Sequence, residues 1–378
     1  MAQWLAYLSR ATMKSPPPCL DRKPMRSKNQ DHRTGAQAAV PKQRTLLSLF
    51  CGAGGLDLGF ERAGFKVGLA FDIRGASVAS YNHNRPHAPV ADVFDVTRLN
   101  PELLDILYGR EFLPAGVIGG PPCQSFSMAN RNVAADDPRH ILPLEYAELL
   151  AALNARAPVP FFVMENVVGL LHPDHAQRLA AMLSAFTRAG FTVSHHVLDA
   201  VNYGVPQRRA RVFLVGLNTA LFSGTQWVPP AAGTSIRTVK DAIGGLPEPA
   251  FFQRNAAPIA SELHPNHWCM QPKSAKFARG SDLRPGNGSP RSFKTLHWDR
   301  PSFTVCYGHR EVHVHPSCRR RLSVYEAMLL QGFPPEYVLL GSMSAQFQQV
   351  SEAVPPLLAQ AVARSVLGQM ASDGESAA

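Results

Sequence analysis

From Thr45 to Gly216 short apolar runs alternate with longer helical patterns, an order that few folds accommodate. Runs of strand length are read at Thr45–Phe50, Val67–Phe71, Val90–Val93, Ala115–Ile118, Phe161–Met164, Thr192–Leu198 and Val212–Val215. Helical spacing falls after Gly55 (Leu56, Phe60, Ala63), from Asp72 to about Tyr81, at Ile141–Leu153 and at His172–Ala189. Repeated strand–helix units predict an α/β fold with an open parallel sheet and helices on both faces. Ligands of such sheets gather beyond the C-terminal strand ends.

The first strand runs into Phe50-Cys51-Gly52-Ala53-Gly54-Gly55, a turn whose glycines let the backbone approach a ligand closely. Asp72 ends the second strand, at about the ~20-residue spacing from Gly52 expected of a carboxylate that grips a ribose. The turn is not a dinucleotide fingerprint, because Asp57 stands where the third glycine of G-x-G-x-x-G belongs. A cofactor with adenine and ribose but no pyrophosphate suits it better, with Asp92 at the third strand end available to the adenine amino group.

The fourth run halts at Gly119-Gly120-Pro121-Pro122 and presents Cys123, followed by Gln124-Ser125-Phe126-Ser127. Two prolines fix φ and remove backbone donors, so the loop holds the thiol rather than letting it wander. A free thiol with a pKa near ~8.5 is mostly protonated at neutral pH and needs nearby positive charge to act as a nucleophile. Gln207-Arg208-Arg209-Ala210-Arg211 is the candidate source. On an extended strand Gln207, Arg209 and Arg211 share one face, where they would hold phosphate, a base edge or only water. The fifth run leads into Glu165-Asn166, so a carboxyl and the Cys123 thiol would stand at neighbouring strand ends.

The net charge of +10 falls in two blocks. Residues 1–44 carry nine Lys or Arg against two Asp or Glu, and residues 218–321 carry fourteen against six. The first block marks 1–43 as a basic, disordered tail ahead of a catalytic region at 44–216. The second coincides with a loop-rich, aromatic segment, 217–300, read as a smaller nucleic-acid-facing domain. Helical patterns return within 301–372, before a short tail at 373–378. The six cysteines are scattered, and neither His264, His267 and Cys269 nor His309, His313, His315 and Cys318 have structural-zinc spacing, so no metal is expected. No run is long and apolar enough for a membrane span, and a cytoplasmic, monomeric protein with no membrane contact is expected.

Taken in order, these motifs resemble the bacterial DNA (cytosine-5) methyltransferases from about Thr45 to Gln369. Phe50–Gly55 is similar to that family's S-adenosylmethionine loop, Pro121-Pro122-Cys123-Gln124 to its nucleophile loop, and Glu165-Asn166-Val167 to its catalytic carboxylate motif. Gln207, Arg209 and Arg211 match Q-x-R-x-R, while Arg300-Pro301 with Thr304 resembles the motif that seats the recognition domain. Leu330-Gln331-Gly332-Phe333-Pro334 resembles a segment that follows it. The resemblance implies a Rossmann-like S-adenosylmethionine-dependent sheet with a loop-rich target-recognition domain. It implies Cys123, Glu165, Arg209 and Arg211 as catalytic, and Phe50, Gly52, Gly54, Asp72, Asp92 and Pro122 at the cofactor. Gln124, Ser127, Gln207, Arg300 and Thr304 would meet double-stranded DNA. A cognate restriction endonuclease would act separately.

By the same resemblance, Cys123 would add to carbon 6 of a flipped cytosine while Glu165 holds N3, leaving carbon 5 to attack the sulfonium methyl. One departure stands out. The family's Gly-Asn before Ala-Val-Pro-Pro is Ser351-Glu352 here, and a second carboxylate near Glu165 or near the methionine carboxylate is expected to repel it. A DNA-binding homologue with impaired chemistry and an RNA cytosine-5 methyltransferase are the alternatives.

Overall fold

The computed structural model describes residues 44–122, 138–252, 263–278, 283–286, 293–304 and 313–375. Cys123, Gln124, Ser127 and His309 lie outside the described residues. Seven strands make one sheet: β1 (Thr45–Leu49), β2 (Lys66–Asp72), β3 (Ala91–Val93), β4 (Gly116–Gly119), β5 (Phe161–Val167), β6 (Phe191–Asp199) and β7 (Ala210–Asn218). Their order across the sheet is β3-β2-β1-β4-β5-β7-β6. The helices are α1 (Gly55–Arg62), α2 (Gly75–His83), α3 (Pro101–Tyr108), α4 (Leu142–Arg156) and α5 (Ala176–Arg188), then α6 (Val239–Ile243), α7 (Val324–Gln331), α8 (Met343–Glu352) and α9 (Pro356–Glu375).

Strand periodicity sorts the core into two layers. Leu47, Val117, Phe162, Met164 and Leu214 point to one face, where Leu104 of α3, Tyr146 and Leu150 of α4 and Phe186 of α5 cover them. Their neighbours Leu46, Ile118, Phe161, Val163 and Phe213 point to the other, under Leu56 and Phe60 of α1 and Leu358, Val362 and Val366 of α9. The sheet is therefore buried on both faces, as unbroken apolar strands require.

The expectation of an all-parallel sheet needs correction. β1 to β5 pair in parallel, but β7 runs antiparallel to both β5 and β6. The cause is the connection: between β6 and β7 lies only a short 3-10 turn at Ala200–Tyr203, with no helix to carry the chain back across the sheet. The reversal sets the start of β7 beside the end of β5, with Val167 opposite Arg211. In a parallel strand Arg211 would have lain at the far edge.

Gly59, inside α1, serves packing rather than the ligand. A Cβ there would collide with Ala359 Cβ and come within 2.6 Å of the Gln360 backbone nitrogen, so its absence lets α1 lie directly on α9. Gly59→Ala is expected to destabilise the fold by about 1–3 kcal/mol, since backbone atoms cannot step aside as a flexible side chain would. A lowered thermal midpoint checks it.

After β7 regular structure thins. β8 (Ala250–Phe251) pairs with β9 (Trp268–Cys269), and β10 (Lys294–Thr295) with β11 (His313–Val314), so pairing crosses the expected boundary at residue 300. The histidines here serve packing: His267 lies between the Ser323 hydroxyl and the Pro247 carbonyl, and His264 stacks on Tyr325. Segment 300–304 is stitched to the entry of β7, since Ser302 N donates to Pro206 O at 2.9 Å and Thr304 Oγ1 to Arg208 O at 2.7 Å. No helix among the described residues is long and apolar enough to cross a membrane.

Candidate active site

A cavity of about 500 Å³ opens at the C-terminal ends of β1, β2, β4 and β5, where the order of connections reverses between β1 and β4. Its floor is the turn after β1. Phe50 and Gly52 both take left-handed backbone, with φ +54° at each, and Gly54 opens α1 at φ +83°. Such a conformation is strained for phenylalanine and persists only where surroundings enforce it. Asp72 does much of that enforcing: Oδ2 accepts from Gly52 N at 2.9 Å and Oδ1 from Arg74 N at 2.8 Å. Phe50, Gly52, Asp72 and Pro122 all line the cavity. Gly54 contributes from behind, where a Cβ would press on the Tyr81 ring at 2.8 Å.

The far wall carries charge. Glu165 and Arg211 share the face of Phe161 and Phe213, and because β7 is reversed they meet, with Arg211 Nε 2.9 Å from Glu165 Oε1. Burial pushes the Glu165 carboxyl up, opposed by the attraction of Arg211 and then of Arg209. Arg209, almost fully buried, donates to the Ser351 carbonyl at 2.5 Å and so ties β7 to the end of α8. Gly120 packs so closely that a Cβ would stand 3.0 Å from Glu165 Oε2. Pro121 and Pro122 line the same space and lead directly into Cys123. Cys51, which lines the cavity, makes a poor nucleophile: burial pushes its thiol up, and Asp57 and Asp72 add to the effect.

Asp92 is exposed within β3, opposite Phe71, and the acid that reaches the cavity is Asp95, beside Phe94 and Val96. The strand ends at Val93, so the first acid beyond its end is Asp95. Gln207 is fully buried, and its Nε2 donates to Leu330 O at 3.3 Å and Gln331 Oε1 at 3.0 Å. It seats the Leu330–Pro334 segment. Arg300 is exposed, and its carbonyl accepts from Val239 N at the start of α6. Asn166 is a residue whose work sequence left unassigned: its Nδ2 reaches the Pro121 carbonyl at 3.4 Å and anchors the loop that carries Cys123.

With this geometry the comparisons with known proteins agree. The family model described as C-5 cytosine-specific DNA methylase matches residues 44–368. The chain belongs to that family. Among its relatives, the type II methyltransferase M1.HphI of Haemophilus parahaemolyticus is 37% identical, over 85% of this chain and 86% of the relative. M.MthTI of Methanothermobacter thermautotrophicus is 32% identical, over 85% of this chain and 96% of its own length. In fold, the chain matches a prophage-encoded DNA modification methyltransferase of E. coli with a TM-score of 0.71 at 24% identity, over 87% of this chain and 99% of that one. Spodoptera frugiperda DNMT2 follows with a TM-score of 0.59 at 16% identity, over 86% and 100%.

Membership sharpens the meaning of Ser351-Glu352. Both residues line the cavity, as the family pattern implies. The repulsion expected of Glu352 is offset, because its carboxylate pairs with Arg74, the residue whose backbone N–H holds Asp72. Gln348 Nε2 also donates to it at 3.2 Å. This methylase family member thus carries the added charge together with its counter-ion.

Proposed function

We propose that the protein transfers a methyl group from S-adenosylmethionine to carbon 5 of cytosine in double-stranded DNA. The observation that carries this reading is the buried Glu165–Arg211 pair on the wall of the cavity that Pro121 and Pro122, the two residues before Cys123 in sequence, also line. The cavity fits the cofactor: it has the volume of a small-molecule site, an acid at the end of β2 for a ribose, and a second acid, Asp95, beyond β3 for the adenine side. When bound, the cofactor supplies the electrophilic methyl group.

The chain's own residues do the rest. Glu165, its carboxyl raised by burial, keeps a proton more readily than an exposed acid and donates it to N3 of the flipped base. Arg211 fixes the carboxyl's orientation and offers donors to the base. The Cys123 thiolate would add to carbon 6 as N3 takes the Glu165 proton, passing electron density to carbon 5 for the methyl group the cofactor would supply; loss of the carbon 5 proton to solvent then breaks the carbon–sulfur bond, and N3 returns its proton to Glu165. Flipping costs a few kcal/mol, which phosphate contacts of the basic 218–321 stretch help offset.

Bisulfite sequencing of host DNA after expression tests the reading. Protected cytosines in one sequence context are expected, and uniform conversion contradicts it. Glu352→Asn is expected to leave initial rates within about fivefold, since a half-exposed ion pair contributes only ~0–1 kcal/mol. Methylation that appears only in the Asn variant would establish the impaired-homologue reading instead.

A further inference from the structure

Residues 351–354, at the end of α8 and just beyond it, form one wall of the cavity, and buried donors hold their backbone. Arg209 Nη2 donates to Ser351 O at 2.5 Å and Gln331 Nε2 to Ala353 O at 2.6 Å, from side chains that are both buried. The Val354 carbonyl lies so close to Gly55 that a Cβ there would stand 2.4 Å from it. A second wall is the loop after β2, where Asp72 accepts from the backbone N–H groups of Gly52 and Arg74. Each wall is thus fixed from behind. Arg74 and Glu352 join the two, the guanidinium of the first paired with the carboxylate of the second.

This pair differs from the anchors behind it. Its side chains are 37% and 38% exposed, whereas Cys51, Asp57 and Glu165, which line the same cavity, are buried. The bridge therefore stands at the mouth. Gln348 Nε2 donates to Glu352 Oε1 at 3.2 Å, which leaves Oε2 turned to Arg74. An exposed ion pair is weak, so it opens at small cost where the buried anchors do not. We propose that the Arg74–Glu352 bridge sets the rate at which cofactor enters the cavity and its demethylated product leaves, an inference that rests on the S-adenosylmethionine reading above.

A closure of this kind has a kinetic signature. Because the bridge is made by the chain's own side chains, it forms in the filled and the empty cavity alike, and it must break for a ligand of nucleoside size to pass. Its removal lowers the barrier to entry and to exit by the same amount, so both rates rise and the equilibrium constant stays. A pair that only gripped the bound ligand would act on exit alone. Asparagine, which the family pattern has at this position, is neutral and one methylene shorter, so the bridge belongs to this chain's own departure at Glu352.

Entry and exit rates of S-adenosylhomocysteine, measured by stopped flow on the full chain, test the proposal. Glu352→Gln, which keeps the length and removes the charge, is expected to raise both rates by about two- to fivefold and to leave the dissociation constant within about twofold. Arg74→Gln should match it, and carries the test if Glu352→Gln does not fold. S-adenosylhomocysteine has no net charge, so added salt should speed exchange in the native protein and not in either variant. The swapped pair, Arg74→Glu with Glu352→Arg, should return both rates to about the native values. Unchanged rates in the single variants, a rise in exit alone, or a swap as fast as the single variants overturns the proposal. A native protein that binds no S-adenosylhomocysteine overturns the cofactor reading itself, and with it this inference.

Discussion

Glu165→Gln is expected to lower turnover by about 10²–10⁴-fold while cofactor affinity stays close to the wild-type value. The amide keeps the shape of the carboxyl but cannot hold or release the proton that N3 requires. It also leaves Arg211, mostly buried, without its counter-charge, so part of the loss comes from a guanidinium that swings out of register. Arg211→Lys separates the two contributions. A point charge retains attraction without the planar fork, so its loss in turnover should be smaller than that of Glu165→Gln and should change with salt. Initial rates with DNA, set against equilibrium binding of S-adenosylhomocysteine, check both expectations. A Glu165→Gln protein with unchanged turnover would remove the carboxyl from the chemistry.

Cys123→Ser is expected to reduce methylation by at least about 10⁴-fold, because a hydroxyl lacks the nucleophilicity of a thiolate. Cys51 lines the cavity, but burial and two carboxyls hold it protonated. DNA and cofactor binding should survive the substitution, which changes one atom. Gel retardation with duplex DNA and calorimetry with S-adenosylhomocysteine would confirm that the loss lies in chemistry rather than in folding.

The layered core was legible in the sequence because strand periodicity is local: Phe161 to Met164 alternate between two faces whatever lies around them. Strand direction is not local in the same way. Apolar alternation reads alike in both directions, and only the missing helix between Leu198 and Val212 could have announced the reversal of β7. The acids divide similarly. Asp72, at the end of β2, lines the cavity, whereas Asp92 lies within a strand that ends at Val93 as read, and Asp95, two residues past that end, lines the wall.

What the sequence withheld lies in long-range pairs. Gln207 meets Gln331 across 124 positions and Arg74 meets Glu352 across 278, so neither the burial of the first nor the neutralisation of the second could be read from neighbours.

The central claim is that the Cys123 sulfur bonds to carbon 6 of the target cytosine. Trapping tests it most directly: a duplex bearing 5-fluorocytosine at the mapped target lacks the proton whose loss frees the enzyme, so the adduct should accumulate when S-adenosylmethionine is present. Mass spectrometry of the digested adduct is expected to place the nucleotide on the peptide that contains Cys123, with no adduct from Cys123→Ser. An adduct on another residue, or methylation of ordinary DNA by the Cys123→Ser protein at the wild-type rate, would contradict the account.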